Sequence, residues 1–163
     1  MAGKQAKVLG TKEIRSILEA LQRGRNSKRN KVLFLLSLHG FRACEIADLE
    51  LSMLIDASGN IGESISITDQ TSKGGYGGRT VHINFQLKEA IEEYLKVRNR
   101  QQSKYLITTE RADKFSSNAL AVLFFKLYKR LGLAGASSHS GRRTFITNCA
   151  KKISQVGGSL RDI

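Results

Sequence analysis

Proline and tryptophan are missing from this 163-residue chain, cysteine occurs twice, and acidic residues are outnumbered 14 to 27 by lysine and arginine. Each scarcity excludes something. Cys44 and Cys149 are too few and too isolated for a disulfide framework or a zinc site, and a reducing cytoplasm is the simplest home. His39, His82 and His139 are scattered, and no Cys/His or Asp/Glu spacing forms a ligand set, so no metal or other cofactor is expected. There is no apolar run long enough to cross a bilayer, and no secretory signal pattern opens the chain, so no membrane association is expected. A G-x-S-x-G elbow is absent, and both cysteines fall on expected buried helix faces, which leaves no nucleophilic triad. Without proline, the helix stops fall to glycine, at Gly24, Gly40 and Gly157-Gly158.

What is abundant is positive charge. The net charge is +13 and the sequence pI near 10.1, against a hydrophobic content of 40% that suffices for a packed core. The excess favours a polyanionic partner. It is uneven: residues 1–31, which include Lys28, Arg29 and Lys31, hold nine positive and two negative side chains, whereas residues 43–70 hold six negative and no positive ones. One basic face is therefore expected. No basic amphipathic helix with exposed aromatics stands out, which disfavours a membrane surface as the partner.

Periodicity predicts a mainly helical chain with one small antiparallel sheet, an α+β domain. Helices are expected at Thr11 to about Gly24, Lys28–Leu38, a short one opened by Arg42, Gln86–Arg100, Ser117–Leu131, and one opened by the His139 segment with Phe145, Ile146 and Cys149 facing in. A further helix would begin at Ser159. The Lys28–Leu38 helix is apolar nearly all round and is expected at the centre. Ile65/Ile67 and Val81/Ile83/Phe85 alternate as strands. Between them Thr71-Ser72-Lys73-Gly74-Gly75-Tyr76-Gly77-Gly78-Arg79 reads as a mobile glycine-rich hairpin tip.

Three places carry candidate chemistry. Arg42 stands at a loop-to-helix corner, with Glu45 three residues on to hold its guanidinium; a surface arginine in a weak ion pair fits the same local sequence. Lys73 on its glycine hairpin can swing into a substrate, although a solvated turn lysine also fits. It is not a phosphate-cradling P-loop lysine, because it precedes the glycines and lies between strands. Ser138-His139-Ser140-Gly141-Arg142-Arg143 places His139 and Arg142 one turn apart at a helix start, with Arg143 beside them, a good seat for a phosphate.

In this order, Leu38-His39-Gly40-Phe41-Arg42-Ala43-Cys44-Glu45, Ser72-Lys73-Gly74 with Arg79-Thr80-Val81-His82-Ile83, and His139-Ser140-Gly141-Arg142-Arg143-Thr144-Phe145 resemble the arginine box, lysine hairpin and H-x-x-R box of the tyrosine recombinase (phage integrase) catalytic domain. The resemblance spans nearly the whole chain. It implies a DNA breaking-rejoining fold and a site-specific recombinase that binds double-stranded DNA and acts through a 3′-phosphotyrosyl intermediate. It also implies Arg42 and Arg142 on the scissile phosphate, Lys73 as general acid, His139 beside the phosphate, Glu45 and Arg143 behind them, and Lys28, Arg29, Lys31 and Arg79 on DNA. The family's nucleophilic tyrosine follows the H-x-x-R box, and Tyr76, Tyr94, Tyr105 and Tyr128 all precede it. Residues 1–163 are thus expected to be a single catalytic domain that lacks its C-terminal end, has no separate N-terminal core-binding domain, is inactive as it stands, and would self-associate on DNA through the missing segment. The expected location is cytoplasmic and nucleoid-associated, in a prokaryote or phage. Two alternatives are a non-catalytic basic DNA-binding module and a type IB topoisomerase-like enzyme, the latter disfavoured by the absence of a clamp-forming domain.

Overall fold

Helix α2 (Ser27–Leu38) organises the molecule. It buries Val32, Leu33, Phe34, Leu35, Leu36 and Ser37 in unbroken succession. A helix can bury residues all round only if neighbours cover every side. Here α1 (Thr11–Gln22), α3 (Ala43–Asp48), α4 (Phe85–Val97) and α6 (Ser140–Gln155) all pack against it. The computed structural model describes residues 5–68 and 78–158. Among them, α5 (Ser117–Arg130) leans on α3, and two strands, β1 (Ser64–Ile67) and β2 (Arg79–His82), form an antiparallel pair. The register sets Ile65 opposite Val81 and Ile67 opposite Arg79. No helix among the described residues is long and apolar enough to cross a membrane.

The expected α+β architecture is observed, with three differences. Phe85 does not close the second strand; it opens α4 and is 78% exposed. Asn84 ends the alternation by capping that helix, its Oδ1 accepting the Leu87 N–H at 2.9 Å. The same helix stops at Val97, short of Arg100, because Arg98 turns extended and buries its guanidinium against the carbonyls of Gln101, Ser103 and Tyr105. That anchor folds the following loop so that Leu106 and Ile107 enter the core.

The third difference concerns α6. Its buried face is Ser140, Gly141 and Thr144, not Phe145, Ile146 and Cys149; Ile146 is 40% exposed and Cys149 half-buried. Small residues win because α6 meets α2 at close range, with Gly141 directly over Ser37. Thr144 adds a polar tie, its Oγ1 donating to the Ser140 carbonyl at 2.7 Å and accepting the Leu9 N–H at 2.8 Å. Cys44, also expected inside, is half-buried. The expected helix from Ser159 and the hairpin tip with Lys73 and Tyr76 lie outside the described residues.

Candidate functional site

Where α2 ends, the chain makes a Schellman turn. The Gly40 N–H donates to the Ser37 carbonyl at 3.1 Å and the Phe41 N–H to the Leu36 carbonyl at 3.3 Å. Gly40 takes φ +85°, and a Cβ there would stand 2.8 Å from the Phe145 ring. Glycine is therefore required twice over, by conformation and by space. The turn delivers Arg42 to the N-cap of α3, and Glu45 of the first turn accepts the Arg42 N–H at 2.7 Å.

Glu45 is the centre of the site. Its side chain is wholly buried, and both oxygens are saturated. Oε1 accepts Arg42 Nη1 at 2.9 Å and Arg79 Nη1 at 2.7 Å; Oε2 accepts the Arg42 N–H and Arg79 Nη2 at 2.9 Å. Burial alone would push its carboxyl up, but the hydrogen bonds from Arg79 and Arg42 outweigh it and hold the group below the usual glutamate range.

Arg142 joins from α6. Its Nη1 donates to the Gly40 carbonyl, a contact that spans 102 positions of sequence. Arg79 Nη2 reaches the same oxygen at 3.2 Å. Burial, with Arg42 and Arg79 close by, lowers the Arg142 pKa, and the guanidinium is still protonated at neutral pH. Three guanidinium groups thus gather around one carboxylate and one carbonyl, and the cluster is net positive. Among the described residues, the Nε and Nη2 of both Arg42 and Arg142 have no hydrogen-bond partner. These forked donors suit a tetrahedral oxyanion.

His139 is the N-cap of α6, exposed, one turn before Arg142. Its imidazole adds a donor on that helix face, and the helix's own first N–H groups favour negative charge there. No metal-ligating group of three or more His, Cys, Asp or Glu occurs among the described residues.

Not every expected residue converges. Arg143 points the other way and donates to Gln5 Oε1, since one residue along a helix turns the side chain by about 100°. Lys28, Arg29 and Lys31 stand at the far end of α2, about 14–18 Å along its axis from Gly40. Arg29 is half-buried with its guanidinium 5.0 Å over the Phe115 ring, and Lys31 faces Glu93 at 3.9 Å. Lys28 is exposed.

Tyr94 and Tyr128 are buried, with Tyr94 hydrogen-bonded to Thr108 and the Tyr128 phenol pushed up by burial. The ammonium groups of Lys104 and Lys114 lie 5.1 and 5.2 Å from the Tyr105 ring centre. None of the three hydrogen-bonds to the arginine cluster.

The sequence model described as the phage integrase family matches residues 7–156. No curated protein matches the chain. Among solved structures, a XerA recombinase is 22% identical with a TM-score of 0.71, over 99% of this chain and 54% of its own. A XerH site-specific recombinase in a post-cleavage complex with a palindromic difH substrate is 19% identical, TM-score 0.71, over 99% of this chain and 49% of its own. A Tn1549 transposon integrase in complex with a circular intermediate DNA is 16% identical, TM-score 0.69, over 97% and 56%. The fold is shared, and the chain spans about half the length of these proteins.

Proposed function

Because the chain belongs to the phage integrase family, we propose that its arginine cluster is the phosphate pocket of a site-specific DNA recombinase, and that residues 1–163 act as one catalytic unit on double-stranded DNA. One observation carries this reading: Arg42 and Arg142, distant in sequence, meet at Gly40 and Glu45 with forked donors that have no partner among the described residues. Two such forks can bind the non-bridging oxygens of one phosphodiester bidentately and match the charge that grows there in the transition state.

In this reading a tyrosine hydroxyl attacks phosphorus, the bond from phosphorus to the 5′-oxygen breaks, and a 3′-phosphotyrosyl link holds the strand. The leaving 5′-oxygen takes a proton from Lys73. His139, at the helix start, takes up the proton that the tyrosine hydroxyl gives up and donates to the attacked phosphate. Glu45 keeps Arg42 in place, and the covalent link conserves the bond energy, so strands exchange without a nucleotide cofactor. The attacking tyrosine is none of Tyr94, Tyr105 and Tyr128, whose hydroxyls or rings are engaged elsewhere. Tyr76 also precedes the H-x-x-R box, ahead of the family nucleophile's place, so in this reading the 163 residues bind and polarise the phosphate without attacking it. Self-association on DNA and a location with the nucleoid belong to the same proposal.

The test is the salt dependence of binding to a short duplex. The logarithm of affinity should fall linearly with the logarithm of salt, by about 0.9 for each phosphate neutralised. Arg42→Ala and Arg142→Ala should each flatten the line by about one contact. A wild-type affinity indifferent to salt overturns the proposal.

A further inference from the structure

Arg79 is built into the cluster differently from its two companions. An arginine has five N–H donors. Arg79 uses three of them inside the protein, two in a fork on Glu45 and one on the Gly40 carbonyl. Its guanidinium also lies over the Phe41 ring at 5.9 Å. Among the described residues, Arg42 and Arg142 each commit one side-chain donor. Moreover, the two acceptors that Arg79 grips are the two that hold the others: Glu45 holds Arg42, and the Gly40 carbonyl holds Arg142.

We propose that Arg79 is a positioning residue that sets Arg42 and Arg142 for one phosphate, and not the DNA contact that the family resemblance implies. The fork on Glu45 fixes the carboxylate, so that Oε1 presents one lone pair to Arg42. The third bond fixes the carbonyl that Arg142 reaches. The strand geometry supports the role. Arg79 is the first residue of β2, in phase with buried Val81, so its side chain leaves the sheet on the core side, toward α3. It also ties the strand that follows residues 69–77, which include Lys73, to the arginine pocket. A lysine could keep the charge but could not make a planar fork on Glu45 while reaching Gly40.

The DNA arm of the test rests on the proposed function; a second arm does not. Arg79→Lys, Arg42→Ala and the double variant are compared for duplex affinity at one salt concentration, with thermal melting to confirm folding. Arg79→Gln serves as the charge-neutral control. Arg79→Lys should lose affinity on the order of tenfold or more, at least as much as Arg42→Ala, because a lost charge-assisted bond has that effect and Arg79 sets two such donors. The double variant should lose no more than Arg79→Lys alone. Wild-type affinity in Arg79→Lys, or losses that multiply in the double variant, overturn the positioning role and make Arg79 an independent contact.

Without DNA, the order of the Arg42 and Arg142 Nε–H groups is followed by NMR in the wild type and Arg79→Lys. Both should be ordered in the wild type and lose order in the variant; unchanged order overturns the proposal. Should the wild type fail to bind DNA, the recombinase reading falls, and the NMR arm still decides the role of Arg79.

Discussion

Glu45→Ala is expected to lower stability by about 3 kcal/mol, the lower end of the range for breaking a buried ion pair, because Arg42 and Arg79 keep one face in solvent. In a chain of this size that is a fall of about 6–12 °C in the melting temperature. The cause is local. Removing the carboxylate leaves Arg42, Arg79 and Arg142 facing one another without a counter-charge and strips the Arg42 N–H of its acceptor. Glu45→Gln should lose less, since one oxygen still accepts, although its amide hydrogens face guanidinium donors.

The pH dependence carries a sign. The Glu45 carboxyl is held below the ordinary value, so its contribution is complete above about pH 4.3 and is lost as pH falls through the lower folded value. Urea denaturation between pH 7 and 3 should show an acid loss in the wild type that is smaller in Glu45→Gln. A Glu45→Ala protein as stable as the wild type would refute the central place given to this carboxylate.

Gly141→Ala is the second large effect, and here two principles oppose. Alanine is the better helix former by about 1 kcal/mol, so a helix-propensity argument predicts stabilisation. Space predicts the reverse. The new methyl carbon would lie 2.2 Å from Ser37 Oγ, 2.7 Å from Ser37 Cβ and 2.8 Å from the Ser37 backbone carbon. A rotamer change removes the first clash but not the last, so α6 must lift from α2. Overpacking of this kind costs about 1–3 kcal/mol, which exceeds the propensity gain. Because α6 carries His139 and Arg142, DNA affinity should fall together with the melting temperature. Adding Ser37→Gly should recover part of both losses, the part due to side-chain atoms. A more stable Gly141→Ala protein would mean that the two helices are not in close contact.

The sequence was legible where a short-range pattern carried the information. The continuous apolar run of α2 announced a central helix, the three-residue spacing of Arg42 and Glu45 announced their bond, and His139 and Arg142 announced a charged helix start. What was not legible depended on partners far along the chain. Arg79 reads in the sequence as the end of the glycine hairpin and a DNA contact, because Glu45, which it grips, lies 34 positions before it. The signal available was its phase with Val81, which puts it on the buried side of the strand. Apolar size points to the wrong inner face of α6, because close helix contact selects Ser140, Gly141 and Thr144. Phe85 continued an alternation that Asn84 had already ended by capping. Arg29 and Lys31 counted toward a basic face in the sequence, but in the fold one stacks on Phe115 and the other faces Glu93.

The central claim is that Arg42 and Arg142 hold the same DNA phosphate. A crystal structure of the chain with a short duplex tests it most directly. The account predicts one backbone phosphate within hydrogen-bonding distance of both guanidinium groups, His139 beside it, and Arg79 still on Glu45 and the Gly40 carbonyl. DNA seated on another face, with no phosphate between Arg42 and Arg142, would contradict it.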